Sequence, residues 1–404
     1  MAFDISAATP ILKQYYTKKK IESLVFESEL LKSMPKDTGG SGVSYIGAIR
    51  SAIPASVSAT DTVAFATTGG SVYNQWVCPW RFGYGSANVT GEAIDKTAND
   101  AGAFVRALTS ETEGAFKAIG QQLGAALFGN GGGAIGKIAA AGIAGSVLTL
   151  TDVNQVVNFW QNQVLQLASD DGTGGAGVRV GTVTVSAVDL NAGTVTMTGG
   201  VVAGIAAAAA GDYVFMNGNY NGLVQGIPAW IPDALNRPVL ATLFNTVDRA
   251  KDGARLAGAY YNGGGGPKAE SLNQLGMLVQ RLGGRPTDFF CNPVDYIDVI
   301  KDAGSRIVIN NGDKDVQVGF TGAKLATPFG VINIKTDIFC PTGKGWLLDM
   351  KTWLLVSMGA LPKVDLADGM NWLRNAGADS YQFRTLYRAA TYCSMPGHNG
   401  VVNF

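Results

Sequence analysis

The chain has 404 residues, enough for two or three ordinary domains with ample core. Only 15% of them are charged, 47% are hydrophobic and 54 are glycine, which excludes a disordered chain and leaves little ionic surface for a lone monomer. Lys and Arg number 31, as do Asp and Glu, and a formal net charge of zero argues against a tight, nonspecific nucleic-acid binder.

The first segment reads as an arm. Thr9-Pro10 supplies a helix cap and first turn, and Ile21, Leu24, Val25 and Leu31 follow at helical spacing. Lys18, Lys19 and Lys20 form the one dense basic run, either a solvated helix face balanced by nearby glutamates or a contact with nucleic acid. Pro35 and the glycine-rich stretch 37–42 end the arm. Tyr45 and Ile49 then sit on an alternating strand, and Trp76, Cys78, Trp80, Phe82 and Tyr84 alternate on a second, predicting one aromatic strand face. A long tip of small residues separates the two, so the pair is an extended hairpin. Alone it would be marginal in water, so it either folds back on its own core or lies across a neighbour.

From Ala103 the spacing predicts a long amphipathic helix. Phe104, Leu108, Ala115, Phe116, Ile119, Leu123 and Leu127 recur at three- and four-residue steps, with Asn99 or Asp100 to cap the start and Gly129 as a left-handed C-terminal cap. Its length would be roughly 40 Å. A glycine loop follows, in which residues 131–137 fit GxxxxGK and GxGxxG. A phosphate loop, however, needs a preceding strand and Ser or Thr after the lysine; here a helix precedes and Ile138 takes that place. A helix is predicted over 153–167, then a small β insertion over about 176–217 that uses Val183, Val185, Val195 and Met197. Gly and Pro dominate 218–267. A helix from Glu270 and a strand-turn-helix around Asn292-Pro293 then indicate an α+β fold.

Catalytic and metal chemistry find no constellation. Cys78, Cys291, Cys340 and Cys393 are dispersed without a CxxC pair, His398 is the one histidine, and GxSxG, HExxH and EF-hand patterns are absent. The sequence therefore predicts no catalytic residue, no metal and no cofactor. No signal peptide opens the chain, and the apolar runs 134–147 and 201–210 are too short or too Gly/Ala-rich to span a bilayer, so a non-membrane protein made in a cytoplasm is expected.

The order of these pieces resembles a tailed-bacteriophage major capsid protein of the Hong Kong 97 type. Leu127-Phe-Gly-Asn-Gly-Gly-Gly133 resembles that family's turn after its spine helix, and Phe290-Cys-Asn-Pro-Val-Asp-Tyr296 its strand-to-helix turn. Thr327-Pro-Phe-Gly-Val-Ile332, Gly345-Trp-Leu-Leu-Asp-Met350 and Gln382-Phe-Arg-Thr-Leu-Tyr-Arg388 resemble its closing strands. The resemblance implies an N-terminal arm (1–38), an extended hairpin loop (39–92) and a peripheral domain with the spine helix (93–147). An axial domain (148–340) carrying the insertion follows, then a return to the peripheral domain (341–404). It further implies self-assembly as hexamers and pentamers into an icosahedral shell around double-stranded DNA, assembled in the host bacterial cytoplasm and ending in the virion. Implied partners are a portal protein, separate scaffolding and decoration proteins, and packaged DNA held by weak contacts at Lys18, Lys19 and Lys20.

On this reading Tyr45, Ile49, Trp76, Trp80, Phe82 and Tyr84 are the inter-subunit contact candidates, and Trp80→Ala is expected to spare folding but impair assembly. Two alternatives are a cellular compartment shell of the encapsulin type and, from another class, a secreted β-rich hydrolase or adhesin. Some members of the capsid family lock subunits with an isopeptide bond from a lysine of the extended loop. Residues 39–82 contain Arg50 and Arg81 but no lysine, so a noncovalent shell is expected.

Overall fold

The computed structural model describes residues 28–53, 70–97, 107–233, 243–303, 307–308, 323–327, 330–366, 369–370 and 372–404. Lys18, Lys19 and Lys20, most of the arm and the hairpin tip lie outside these. The chain divides into two compact units.

One unit contains Tyr84–Ile119 and Val364–Leu386. Strand Trp372–Arg374 pairs antiparallel with Tyr381, Gln382 and Phe383, and the ring of Phe383 meets Phe116 edge-on at 5.6 Å. Ala87, Ala115 and Phe383 are buried together there, so the helix face predicted from Ala115 and Phe116 does cover a core. The helix itself runs Ala107–Leu127, about 31 Å at 1.5 Å per residue, and its predicted start falls outside the described residues. Its end corrects the expectation for Gly129, which is not left-handed. The N–H groups of Phe128 and Gly129 instead close short turns on Ala125 and Ala126, at 3.1 and 3.0 Å.

The left-handed positions come two and four residues later, at Gly131 (φ 91°) and Gly133 (φ 92°). A Cβ on Gly132 would lie 2.0 Å from the carbonyl oxygen of Asp171, and one on Gly133 2.1 Å from that of Asn219. The glycine run therefore exists to let three backbones touch, and the chain leaves it as a strand, not a helix. Lys137 sits on that strand over the Tyr213 ring at 4.8 Å, so no phosphate cradle forms. Gly133→Val should cost the subunit about 2–5 kcal/mol through the φ and the clash together. Urea denaturation of the unassembled chain measures this, and an unchanged midpoint would contradict the packing role.

The second unit contains Glu27–Gly83, Gly120–Lys363 and Tyr387–Phe404. Its first body is a closed six-stranded barrel, in the order Tyr213–Met216, Ala134–Ala144, Val147–Leu150, Thr194–Met197, Val183–Asp189 and Val164–Ala168. Period-two alternation puts Leu148, Leu150, Leu165, Leu167, Val183, Val185, Val195, Met197 and Val214 inside. Two expectations are corrected here. Residues 153–167 are a 3-10 turn, Val153–Asn158, followed by a barrel strand; Asn162, at φ 68°, breaks any helix between them. The β region is also not confined to about 176–217. Closure needs six strands, three of them precede residue 176, and a domain boundary at 147/148 would cut through the barrel strand Val147–Leu150.

The second body of this unit is a seven-stranded sheet. Its order is Ala259–Asn262, Gly400–Asn403, Lys344–Leu348, Asp288–Cys291, Gly330–Thr336, Ala323–Thr327 and Ile307–Val308. Helices Lys268–Arg281 and Pro293–Ala303 supply Leu272, Leu275, Val279 and Val299 to its core, against Phe289, Ile332, Leu347 and Val402. The strand-turn-helix read around Asn292 is present. The Asn292 side chain accepts from Val294 N at 3.0 Å and donates to Cys340 O at 2.8 Å, while Pro293 takes the first helical position. Lys268 ties the two helices together by reaching Asp295 and Asp298, each at 2.8 Å.

Candidate assembly surface

Hairpin strands Ser44–Ala52 and Val72–Pro79 pair with Tyr45 opposite Cys78, Gly47 opposite Trp76 and Ile49 opposite Asn74. These residues share one face. Ile46, Ala48 and Arg50, opposite Val77, Gln75 and Tyr73, share the other.

The first face is anchored on the chain itself. Trp76 is fully buried, with its ring 5.1 Å from Trp230 and 6.1 Å from Phe244. Trp230 in turn meets Phe244, Trp353 and Tyr392 at 5.1, 6.4 and 6.2 Å, all edge-on, which is the favoured arrangement for aromatic pairs. Buried Arg249 lies over Phe244 at 4.1 Å and donates to the carbonyls of Ala229 and Trp230. Tyr45 packs edge-on against Tyr392 at 5.2 Å, and a Cβ at Gly47 would strike that same ring at 2.2 Å. The turn between the short strands Leu243–Phe244 and Val247–Asp248 clamps the hairpin's edge. Asn245 O accepts from Val77 N at 3.0 Å, and the Thr246 hydroxyl donates to Gln75 O at 2.7 Å. Trp80 is buried as well, donating through Nε1 to Gly42 O at 3.0 Å.

Trp76 and Trp80 are therefore core residues, which corrects their place among the contact candidates and the expectation that Trp80→Ala spares folding. The alternation read across 76–84 also breaks. Trp80 interrupts the strand after Pro79, and the buried parity changes from even to odd positions: Gly83, Ala87 and Val89 are buried, while Phe82 and Tyr84 are 45% and 70% exposed. Gly83 explains the new phase, because the Tyr387 ring occupies the space where its Cβ would stand, 2.1 Å away. Arg388 stacks over exposed Phe82 at 5.8 Å. Ile49 is half-buried toward the tip.

The outer face carries what the sequence reading missed. Ile46 and Tyr73 on it are 56% and 66% exposed, and Val43, Ile53 and Val72 at the strand ends are exposed as well. Alternation in Ser44–Ala52 marks two faces but not which one meets the core; only distant Trp230 and Tyr392 decide that. Burial pushes the thiols of Cys78, Cys291 and Cys393 up to about 12, so all four buried cysteines are unreactive neutral groups. Among the described residues no cluster of three or more metal-ligating side chains forms, and no helix is long and apolar enough to cross a membrane.

A two-faced hairpin, a long helix, a helix-backed sheet and an inserted barrel together make a Hong Kong 97-type fold. The cyanophage A-1(L) capsid protein superposes with a TM-score of 0.57 at 12% identity, covering 99% of both chains. The capsid protein of an empty GTA particle gives 0.54 at 11% identity, over 100% of this chain and 98% of that one. At such identities these likenesses speak for the fold. Residues 185–370 match the family model of the SU10 major capsid protein. No curated protein sequence matches the chain. The fold is thus that of tailed-phage capsid subunits, and the family match to the SU10 major capsid protein is confined to residues 185–370.

Proposed function

We propose that copies of this chain associate as hexamers and pentamers and close into an icosahedral shell around double-stranded DNA. The observation that carries this reading is the division of labour in the hairpin. One face is fixed by Trp76 and Tyr45 to the subunit's own aromatic cluster, and the other leaves Ile46 and Tyr73 uncovered. An anchored strand pair with an apolar outer face supports contact with a neighbour, because such faces are rarely left to water. Phe82 and Tyr84 are exposed on the strand that follows and extend the proposed contact. Assembly takes place in the host cytoplasm, with a portal at one vertex and separate scaffolding or decoration chains. Negative-stain electron microscopy of the expressed chain tests the reading: closed particles are expected, and only monodisperse subunits across assembly conditions would refute it.

DNA is enclosed rather than gripped. The two cations of the barrel segment are both engaged within it. Arg179 is locked bidentate to Asp212 at 2.6 Å, and Lys137 sits on Tyr213. We assign the weak DNA contacts to Lys18, Lys19 and Lys20, so any affinity of free subunits for DNA should fall steeply with added salt.

The shell is held without covalent links. With no lysine between residues 39 and 82, and with thiols that stay neutral and buried, neither isopeptide nor disulfide chemistry is available to the hairpin. Boiling purified particles in detergent and reductant should release one band near 42.0 kDa. A ladder of multimers surviving that treatment would overturn the noncovalent account.

A further inference from the structure

Six Asn-Gly steps occur in the chain, and five of them, at Asn130, Asn217, Asn221, Asn262 and Asn399, lie among the described residues. An asparagine before glycine is prone to lose its side-chain amide, because no Cβ on the next residue hinders attack by that residue's backbone nitrogen. Four of the five are held out of reaction. Gly218 N donates to Gln166 Oε1 at 3.1 Å, Gly222 N to Asn219 O at 3.1 Å and Gly263 N to Asn403 O at 2.7 Å. Asn399 is fully buried, and its Oδ1 accepts from Asp349 N and Trp353 Nε1 at 2.8 and 2.9 Å.

Asn130-Gly131 is arranged otherwise. Among the described residues no acceptor engages Gly131 N. Asn130 Oδ1 accepts from Gly132 N at 3.0 Å, which closes a ring that contains Gly131 N and brings it against Asn130 Cγ. Asn130 Nδ2 is held separately, donating to Asp171 Oδ2 at 2.6 Å. Asn262 makes a longer version of this turn, with Gly264 N at 3.3 Å, but its Gly263 N is bonded elsewhere. Asn130 is half-buried, and Gly131 lines a cleft of about 90 Å³ with room for water.

We propose that Asn130 is a self-modification site, where the chain converts this asparagine to aspartate and isoaspartate. Solvent base takes the proton from Gly131 N. The nitrogen then bonds to Cγ, and the C=O electron pair moves to Oδ1, where the Gly132 N–H meets the developing charge. The pair returns, the Cγ–Nδ2 bond breaks, and Nδ2 leaves as ammonia with a proton from water. Water next opens the cyclic imide at either carbonyl. Opening at Cγ leaves aspartate; opening at the main-chain carbon leaves isoaspartate, with Gly131 joined through Cγ. Aspartate sets a carboxylate against Asp171 where the amide had donated. Isoaspartate lengthens the backbone just before Gly132 and Gly133, which have no space even for a Cβ. Both products loosen the loop as the protein ages, whether or not the hairpin makes the subunit contacts.

The test incubates folded full-length chain at mildly alkaline pH beside the same chain in concentrated urea. Mass spectrometry of the digested chain follows replacement of the side-chain NH2 by OH at each Asn-Gly step. In urea the five steps should react within about fivefold of one another. In the folded chain Asn130 should react at least about tenfold faster than Asn217, Asn221, Asn262 and Asn399, with isoaspartate in its product. Solvent exposure alone gives another order, since Asn217, Asn221 and Asn262 are exposed and Asn130 is not. Reaction at Asn130 no faster than at those exposed sites, or a product there without isoaspartate, would overturn the proposal.

Discussion

Trp76→Ala should destabilise the isolated subunit by roughly 3–5 kcal/mol, the range for removing a fully buried large aromatic. Trp76 is 0% exposed and touches two rings of the cluster, so truncation leaves Trp230 and Phe244 facing a cavity that the antiparallel ladder cannot collapse to fill. The loss should spread to the clamp, since Val77 N and Gln75 O bond the turn that carries Asn245 and Thr246. Tyr73→Ala, one turn of the pleat away but outward and 66% exposed, should stay within about 0.5 kcal/mol of the parent. Urea midpoints of unassembled chain measure both. Equal midpoints for the two variants would mean that the hairpin is not part of the subunit core.

The contrast between those two positions shows what the sequence makes legible. Alternation located both hairpin strands, and helical spacing located Lys268–Arg281 and the described part of the long helix, because period and local propensity are written in consecutive residues. Which hairpin face is buried was not legible. That depends on Trp230, Phe244 and Tyr392, which arrive from segments far along the chain, and on Gly83, whose missing Cβ admits Tyr387 and shifts the phase after Trp80. The barrel was half legible for a related reason. Val183, Val185, Val195 and Met197 alternate cleanly with polar residues, whereas Ala134–Ala144 is a run of Ala, Gly and Ile broken only by Lys137, whose strand character is fixed by ladder partners on both sides. Glycines misled in one place and informed in another: Gly129 sat where a cap belongs, yet the left-handed conformations fall at Gly131 and Gly133, set by contact with residues 225 and 219.

Ile46→Asp combined with Tyr73→Asp should abolish particle formation while leaving subunits folded. Both residues lie on the outer hairpin face, exposed at 56% and 66%, and neither sits opposite the aromatic cluster in the ladder. In the free subunit the new carboxylates remain hydrated, so the urea midpoint should move by no more than about 0.5 kcal/mol. Between neighbours both would have to shed water; Arg50 stands opposite position 73 and can meet that carboxylate, but the one at position 46 faces Val77 and would cost several kcal/mol. A shell repeats that loss at every hairpin, so even a partial penalty per contact removes assembly altogether. The sign of the salt response separates this from simple electrostatics. Screening two surface charges would restore particles at high ionic strength, whereas a desolvation penalty within an apolar contact persists. Electron microscopy and sedimentation at low and high salt read the outcome. Particles forming at parental yield in low salt would show that the outer face meets solvent rather than a neighbour, and the contact would then have to be sought at Phe82 and Tyr84.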